Sequence, residues 1–268
     1  LVAGARGCKI IVVGGPRRAF AVVEREALDR FLRHGGRLLL LLGPVLDRRA
    51  SRQRRIGLER WLRGWGVQVR DTIVVDEAAI PGEQPLMTWG TRDGYAASHP
   101  VGRAMMGKLT VWPLTREVRP VGTAREGLAA LTLVRTSPRG WAESDLGSLR
   151  GERPLRLDPA VDSAGPVSVA VAVAWQRTRL VVLGTERGVL NRRIGGKLVR
   201  DFNRDLVLAV LGWLGGDLSP VAVGPRRPEQ AALTLTEAQL GQVRLLCVAG
   251  LPALSLCVAL IVWWRRRR

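Results

Sequence analysis

The segment CKIIVVGGPRRAFAVVEREALDRFLRHGGRLLLLLGP, residues 8–44, decides the fold class. Its first run, Cys8–Val13, is short and mostly apolar and ends at two glycines and a proline, which is typical of a strand buried on both faces of a sheet. Glu24–Arg33 then places apolar side chains at helical spacing, and Arg37–Leu42 is a second apolar run closed by Gly43. Strand, helix and strand with short connections predict a right-handed parallel unit.

The next residues continue this alternation. Ser51–Gly64 predicts a second amphipathic helix and Val67–Val75 a third strand, whereas residues 78–108 lose all periodicity and predict an irregular excursion over the surface. We therefore expect an α/β fold with a largely parallel sheet and flanking helices.

The later part of the chain adds strands and one apolar helix. Leu109–Leu114 and Leu128–Thr136 predict two strands, Val167–Leu183 predicts a hairpin, and Asn203–Leu214 predicts a core helix. Residues 1–221 are thus predicted to form one α/β domain, followed by a tether over 222–242.

The composition excludes several classes of protein. With 47% hydrophobic residues the chain is not disordered as a whole, and three Cys and two His form neither a disulfide framework nor a zinc-ligand pattern. The net charge of +19 comes almost entirely from Arg, which indicates GC-rich coding more than a nucleic-acid partner. The densest basic cluster, 48–55, has no interleaved aromatic residues for base stacking. No metal, cofactor or nucleic acid is therefore predicted.

The end of the chain predicts a membrane anchor. Twenty residues without charge begin at Leu245, and a helix over 243–264 would cross a bilayer of about 30 Å. Aromatic residues and an arginine tail over 265–268 would place the C-terminus in the cytoplasm, with the domain on the periplasmic face of the inner membrane and with lipid as a partner. No export signal precedes Cys8, so this topology predicts a further segment upstream. The predicted anchor residues are Leu245, Trp263, Trp264, Arg265 and Arg266.

No catalytic site is predicted. The sequence has no G-x-S-x-G motif, and the predicted strand ends carry glycines or acids in place of a nucleophile. Backbone N–H groups and a guanidinium before the first helix could hold an anion, although a tight turn with solvated arginine explains the same residues. Acids that follow strands, and a histidine in the excursion, are further candidates. The candidate ligand- or partner-binding residues are Gly14, Gly15, Arg17, Asp76, His99 and Glu186.

The order of segments resembles one protein family. The phrases DRFLRHGGRLLLLLGP and GWGVQVRDTIVVD, with SHPVG, TSPRGWAESD, RLVVLG and NRDLVLAVLGWLGG, are similar to the auxiliary component of gliding-motility-type ABC transporters. An acidic turn of that family is replaced here by Thr185-Glu186-Arg187-Gly188, while Asn191 and Asn203 match the positions that follow.

The resemblance implies a fold and a function. The fold would be of the glutamine-amidotransferase-like or flavodoxin-like kind, also likened to intraflagellar-transport proteins. The function would be that of a membrane-anchored, non-hydrolysing partner of an ABC permease and, through it, of a cytoplasmic ATPase. Two alternatives remain: an envelope hydrolase or amidotransferase-like enzyme that uses His99 with acids such as Asp76, and an anchored scaffold or sensor without a transporter.

Overall fold

A computed structural model describes residues 7–46, 53–76, 87–90, 93–149, 155–190, 202–216 and 246–267. The chain divides into two compact units, Leu1–Ala222 and Val223–Arg268. The helices of the first unit are α1 (Val22–Arg33), α2 (Glu59–Gly64), α3 (Pro100–Met105), α4 (Leu146–Leu149) and α5 (Asn203–Gly215). A 3₁₀ turn covers Arg187–Val189.

The first unit contains the strands of the fold. They are β1 (Ile10–Gly14), β2 (Arg37–Leu41), β3 (Val67–Val69), β4 (Ile73–Asp76), β5 (Met87–Gly90), β6 (Thr110–Pro113), β7 (Val118–Pro120), β8 (Ala129–Arg135), β9 (Gly140–Glu143), β10 (Ser163–Ala164), β11 (Ser168–Trp175) and β12 (Thr178–Leu183). Five of them form the main sheet in the order β1-β2-β12-β11-β8.

The main sheet is mixed, so the prediction of a largely parallel sheet of glutamine-amidotransferase-like or flavodoxin-like kind is wrong. β1 and β12 both run parallel to β2, whereas β11 is antiparallel to β12 and to β8. The reason is the tight turn at Gln176 and Arg177, which joins β11 to β12 as a hairpin and forces an antiparallel pair. The smaller sheets pair their strands antiparallel as well.

The predicted third strand, Val67–Val75, does not join the main sheet. It is divided into β3, which pairs with β7, and β4, which pairs with β9. The break falls at Arg70–Thr72, where the guanidinium of Arg116 binds the Arg70 carbonyl and the Asp71 carboxylate. The position beside β2 is taken by β12, which lies much later in the chain.

The segment predicted as an irregular excursion, 78–108, contains regular elements where it is described. β5 pairs with β6, and α3 packs against α5. Tyr95 bridges to Val134 of β8, and Val101 and Met105 of α3 are buried. These residues belong to the core.

Alternation along the strands divides the core between the two faces of the main sheet. One cluster joins Leu39, Ala172 and Val181 to α3 and α5, and the other joins Leu40, Val171 and Val182 to α1 and α2. Neighbouring residues of one strand therefore enter different clusters, as the period of two along a strand requires. The sheet is covered on both faces, which explains the near-continuous apolar runs of β2 and β12.

The prediction of a transmembrane helix over 243–264 is not supported by the described part of the second unit. A π-helical turn, Leu246–Gly250, precedes α6 (Leu251–Arg267), whose last turn contains three arginines. Among the described residues, no helix has the length and apolar character that a membrane crossing needs.

The predicted location in the inner membrane, with the domain on the periplasmic face and the C-terminus in the cytoplasm, depended on that span and is wrong with it. The anchor residues Trp263, Trp264, Arg265 and Arg266 lie on α6 and are exposed, and Arg267 stacks on the Trp263 ring at 4.3 Å. Leu245 lies outside the described residues, as does the tether over 222–242.

Candidate functional site

The three parallel strands end at the same edge of the main sheet. β1 is followed by Gly15, β2 by Leu42 and Gly43, and β12 by the segment Gly184–Glu186. Backbone bonds hold these ends together: the Gly15 N–H donates to the Leu41 carbonyl at 3.0 Å, and the Leu42 N–H to that of Leu183 at 2.8 Å. This carboxyl edge is where parallel α/β sheets place their ligands, so it is the first candidate site.

The side chain of Glu186 fills the space above two of these glycines. A Cβ at Gly43 would lie 1.7 Å from the Glu186 Oε2, and a Cβ at Gly15 would lie 2.9 Å from its Cγ. Gly15 also has a φ of +57°, which favours glycine independently. The Glu186 side chain is 27% exposed and lies 3.9 Å from the Arg187 Nε. The Glu186 carboxylate therefore lies over the backbone of Gly15 and Gly43 at this edge.

The residues before Glu186 anchor it from below. The Thr185 hydroxyl donates to the Pro113 carbonyl at 2.7 Å and accepts from the Arg187 N–H at 3.0 Å. Gly184 lies directly against the backbone of Arg116, because a Cβ there would be 2.2 Å from the Arg116 carbonyl oxygen. The turn that carries Glu186 is thus fixed by backbone contacts on both sides.

Two other predicted candidates lie in the loop after β1. Gly14 is the last residue of β1 and pairs with Leu41. Arg17 is exposed and makes no hydrogen bond or ion pair with the part of the chain that the structure describes. The structure therefore brings Gly15 and Glu186 into contact and leaves the Arg17 guanidinium in solvent.

Asp76 lies away from the carboxyl edge of the main sheet. It ends β4, is 1% exposed, and accepts hydrogen bonds from the Ser137 hydroxyl at 2.6 Å and the Ser137 N–H at 3.3 Å. These bonds tie β4 to the turn before β9. Asp76 was predicted at the sheet edge because Val67–Val75 was taken as a strand of that sheet.

His99 caps the start of α3. Its Nδ1 accepts from the Val101 N–H at 3.2 Å, and its ring packs edge-on against Trp213 of α5 with 4.6 Å between centroids. The ring is 6% exposed, and its Nε2 has no hydrogen-bond partner among the described residues. Burial first, then the positive charges of Arg103 and Arg179, lower its pKa to about 4. His99 is therefore a neutral, packed side chain at ordinary pH.

Asn203 joins three elements in the interior. Its Oδ1 accepts from the Val111 N–H at 2.8 Å, and its Nδ2 donates to the carbonyls of Val111 and Gly188 at 2.7 and 2.8 Å. It thus links α5 to β6 and to the 3₁₀ turn after Glu186. Asn191 lies outside the described residues.

Sequence reasoning missed a buried charged network behind β12. Arg116 is fully buried and donates from Nη2 to Asp71 at 2.7 Å and from Nε to the Arg70 carbonyl at 2.9 Å. Glu117, 6% exposed, pairs with the Arg70 Nη1 at 3.1 Å. The only sequence signal was two adjacent charges between the strands β6 and β7, and that pattern is usually a solvated loop.

The chemistry available at the carboxyl edge is that of one acceptor group. In residues 7–46, 155–190 and the other described ranges, no group of three or more His, Cys, Asp or Glu side chains could hold a metal ion. The three strands end at one glycine and two leucines, Gly14, Leu41 and Leu183, and the Glu186 carboxylate lies above the glycines that follow β1 and β2. This edge can accept hydrogen bonds or meet a cation.

A family model matches most of the first unit. The model of an ABC-type uncharacterized transport system, ABC_transp_aux, matches residues 3–178, from before β1 to the start of β12. The chain belongs to this family. The family is an auxiliary component of ABC-type transport systems, which agrees with the predicted class; its description does not mention gliding motility. A comparison with curated proteins finds no match.

Two solved structures are similar to this member of the transport-auxiliary family. The mmIFT52 N-terminal domain is 18% identical with a TM-score of 0.57, and the match covers 80% of each chain. At that identity the likeness shows the fold alone. A ThuA-like protein from Bacteroides uniformis is 12% identical with a TM-score of 0.38, over 77% of this chain and 69% of that chain.

Proposed function

We propose that the chain is a non-catalytic auxiliary subunit that binds an ABC permease and, through it, an ATPase. The observation that carries the proposal is the family match over residues 3–178, which includes four of the five strands of the main sheet and the first residue of β12. In such a subunit the first compact unit would serve as a rigid binding module.

The geometry of the carboxyl edge supports binding without bond chemistry. An α/β hydrolase presents a nucleophile on a sharp turn after a strand, with a histidine and an acid in reach. Here the corresponding turns carry Gly15, Gly43 and Gly184, and Glu186 occupies the space above the first two. A carboxylate that is 27% exposed at the end of a fixed turn can contact a basic group of a partner protein.

The enzyme alternative lacks a relay among its own candidate residues. The Nδ1 of His99 is used as a helix cap, and its Nε2 is buried without a partner among the described residues. Asp76 is bonded to Ser137. A general base needs a substrate proton within hydrogen-bond reach, and a ring that is 6% exposed offers little access.

Co-purification tests the proposal. The full chain is produced with an affinity tag in the organism from which it comes, cross-linked, and extracted with a mild detergent. The proteins captured with it are identified by mass spectrometry. We expect an ABC permease and its ATPase in stoichiometric yield. Recovery of the chain without any ABC component contradicts the proposal. The alternative function, a scaffold or sensor that works without a transporter, would then remain.

A pair of matched variants tests the carboxyl edge as the contact. Glu186→Lys reverses the charge there, and Glu126→Lys makes the same change at an exposed turn remote from that edge. We expect Glu186→Lys to lose the permease and Glu126→Lys to keep it, with both variants folded by circular dichroism. Equal recovery of the permease with the two variants would show that Glu186 does not contribute to the contact.

A further inference from the structure

A groove of about 520 Å³ lies between α1 and α2, on the face of the main sheet that these helices cover. Five arginines and two carboxylates line it. We name it the arginine groove; Arg25, Arg30 and Arg33 come from α1, Arg60 and Trp61 from α2, and Arg125 from the loop before β8.

The base of the arginine groove is a fixed polar cluster. Both oxygens of Asp29 are occupied, because Oδ1 accepts from the indole N–H groups of Trp61 and Trp65 at 3.0 Å each and Oδ2 pairs with Arg33. Burial raises the pKa of Asp29, but the hydrogen bonds from Arg33, Trp61 and Trp65 outweigh it, so the pKa lies below its ordinary value. Asp29 is therefore an anion already used within the protein.

Arg125 closes one end of the groove. Its guanidinium lies 4.0 Å from the centroid of the Trp65 ring and 4.9 Å from that of Trp175, and these two rings meet edge to face. Such stacking, with a bond from the Arg125 Nε to the Gly64 carbonyl at 3.4 Å, holds the flat guanidinium in place at the groove. Burial, and then the charge of Arg33, lower its pKa, whereas Asp29 raises it.

Two arginines on opposite walls have no acidic partner in the described parts of the chain. Arg30 of α1 and Arg60 of α2 are exposed and enter no ion pair there. The groove thus concentrates positive charge in a concave surface, and like charges held close together are favourable only when an anion binds between them.

We infer that the arginine groove is a docking site for an acidic segment of a partner protein, with Arg30 and Arg60 pairing with its Asp or Glu side chains across the groove. A planar guanidinium binds a carboxylate through two parallel N–H bonds, so two walls of arginine suit a chain of spaced carboxylates. The inference does not depend on the transport role, because the groove lies on α1 and α2 and not at the edge that carries Glu186.

Nucleic acid and lipid fit the groove less well. Bases bind single-stranded-nucleic-acid proteins by stacking on free aromatic faces. Here Trp65 is fully buried and Arg125 covers its ring, and Trp61 is packed against the core with its indole N–H bonded to Asp29. A bilayer presents a flat surface, and arginines that line a concavity cannot all reach its headgroups. An extended peptide can enter a groove of this size.

Fluorescence anisotropy of a labelled peptide tests the inference. The probe alternates Glu and Ser and is titrated with the full chain at low salt, and the reference peptide has Gln in place of Glu. We expect saturable binding of the Glu peptide alone. Arg30→Glu with Arg60→Glu should weaken it by about tenfold or more, since each reversal replaces an attractive pair by a repulsive one.

A charge-matched double variant is the control. Arg139→Glu with Arg177→Glu changes the net charge equally at exposed positions outside the groove and should keep the affinity within about twofold. An equal loss with both double variants overturns the inference in favour of unspecific attraction. Tighter binding of oligothymidine, or of phosphatidylglycerol vesicles, that displaces the peptide overturns it in favour of nucleic acid or lipid.

Discussion

The Glu186 carboxylate lies so close to Gly43 that a methyl group on residue 43 would approach its Oε2 to 1.7 Å. The contact joins the end of β12 to the end of β2. The atoms that would collide belong to the far end of a flexible, 27% exposed side chain, and not to backbone. A larger residue at position 43 can therefore be accommodated by rotation of Glu186.

Gly43→Ala is expected to change the free energy of unfolding by less than about 1 kcal/mol, because only the Glu186 carboxylate has to move. It should nevertheless reduce co-purification of the permease, since the carboxylate leaves the edge. Urea unfolding followed by tryptophan fluorescence gives the first quantity. The same substitution in a Glu186→Ala background should leave stability unchanged. A loss of several kcal/mol in Gly43→Ala would mean that Glu186 is held rigidly.

Gly184→Ala is expected to behave in the opposite way. A Cβ there would lie 2.2 Å from the Arg116 carbonyl oxygen and 3.2 Å from that of Val169, and backbone cannot rotate away. We expect destabilisation by about 2–3 kcal/mol in the same urea titration, as for overpacked cores. Stability equal to that of Gly43→Ala would show that the backbone around Arg116 can shift to accommodate the added methyl group.

The sequence was informative where structure is local. β1, α1 and β2 were predictable because each rests on an apolar run or a helical period bounded by glycine, as at Gly43. The sheet type was not, because the long-range pairing of β12 with β2 brings the hairpin partner β11, and with it β8, into the same sheet as antiparallel strands. Val67–Val75 reads as one strand, yet Arg116 divides it at Asp71.

The candidate site was predictable in part for the same reason. Glycines after strands, and an acid after the last one, pointed to one sheet edge, and the structure brings Gly15 and Glu186 into contact there. Asp76 failed to reach that edge because its strand joins a different sheet. The binding role of these residues stays a prediction. The arginine groove could not be predicted, because it forms only where α1 and α2 pack side by side, and the sequence of neither helix shows that contact.

Arg116 and Asp71 should respond unequally to substitution. Burial lowers the pKa of the Arg116 guanidinium, while the charges of Asp71 and Glu59 raise it, so the cation depends on its acids. Asp71→Ala leaves a fully buried cation with one partner fewer, and we expect a loss of about 2–3 kcal/mol. Arg116→Met removes the cation and leaves Asp71, 44% exposed, in contact with water, so the loss should be smaller by about 1 kcal/mol or more.

Urea unfolding of the two single variants measures this difference, with Glu126→Ala as a control that removes an exposed acid elsewhere. Greater destabilisation by Arg116→Met than by Asp71→Ala would show that the guanidinium acts mainly through its bond to the Arg70 carbonyl.

His99 should make the stability of the first unit depend on pH. Its pKa in the folded protein, about 4, lies below the ordinary value of 6.5, so the unfolded chain binds the proton first as the pH falls. The stabilisation from the neutral ring is therefore complete above about pH 6.5 and is lost as the pH falls toward 4. It amounts to at most about 3 kcal/mol at neutral pH.

His99→Asn separates titration from packing. The Asn side chain can still accept from the Val101 N–H at the start of α3, but it does not titrate. The variant should be less stable at pH 7, because the ring contact with Trp213 is lost, and its stability should change less than that of the wild type between pH 7 and 4.5. Urea midpoints at several pH values give both slopes. Parallel slopes for the two proteins would assign the acid sensitivity to carboxylates such as Asp29, whose pKa is lowered in the folded chain, because His99 would then carry the same charge in the folded and unfolded chains.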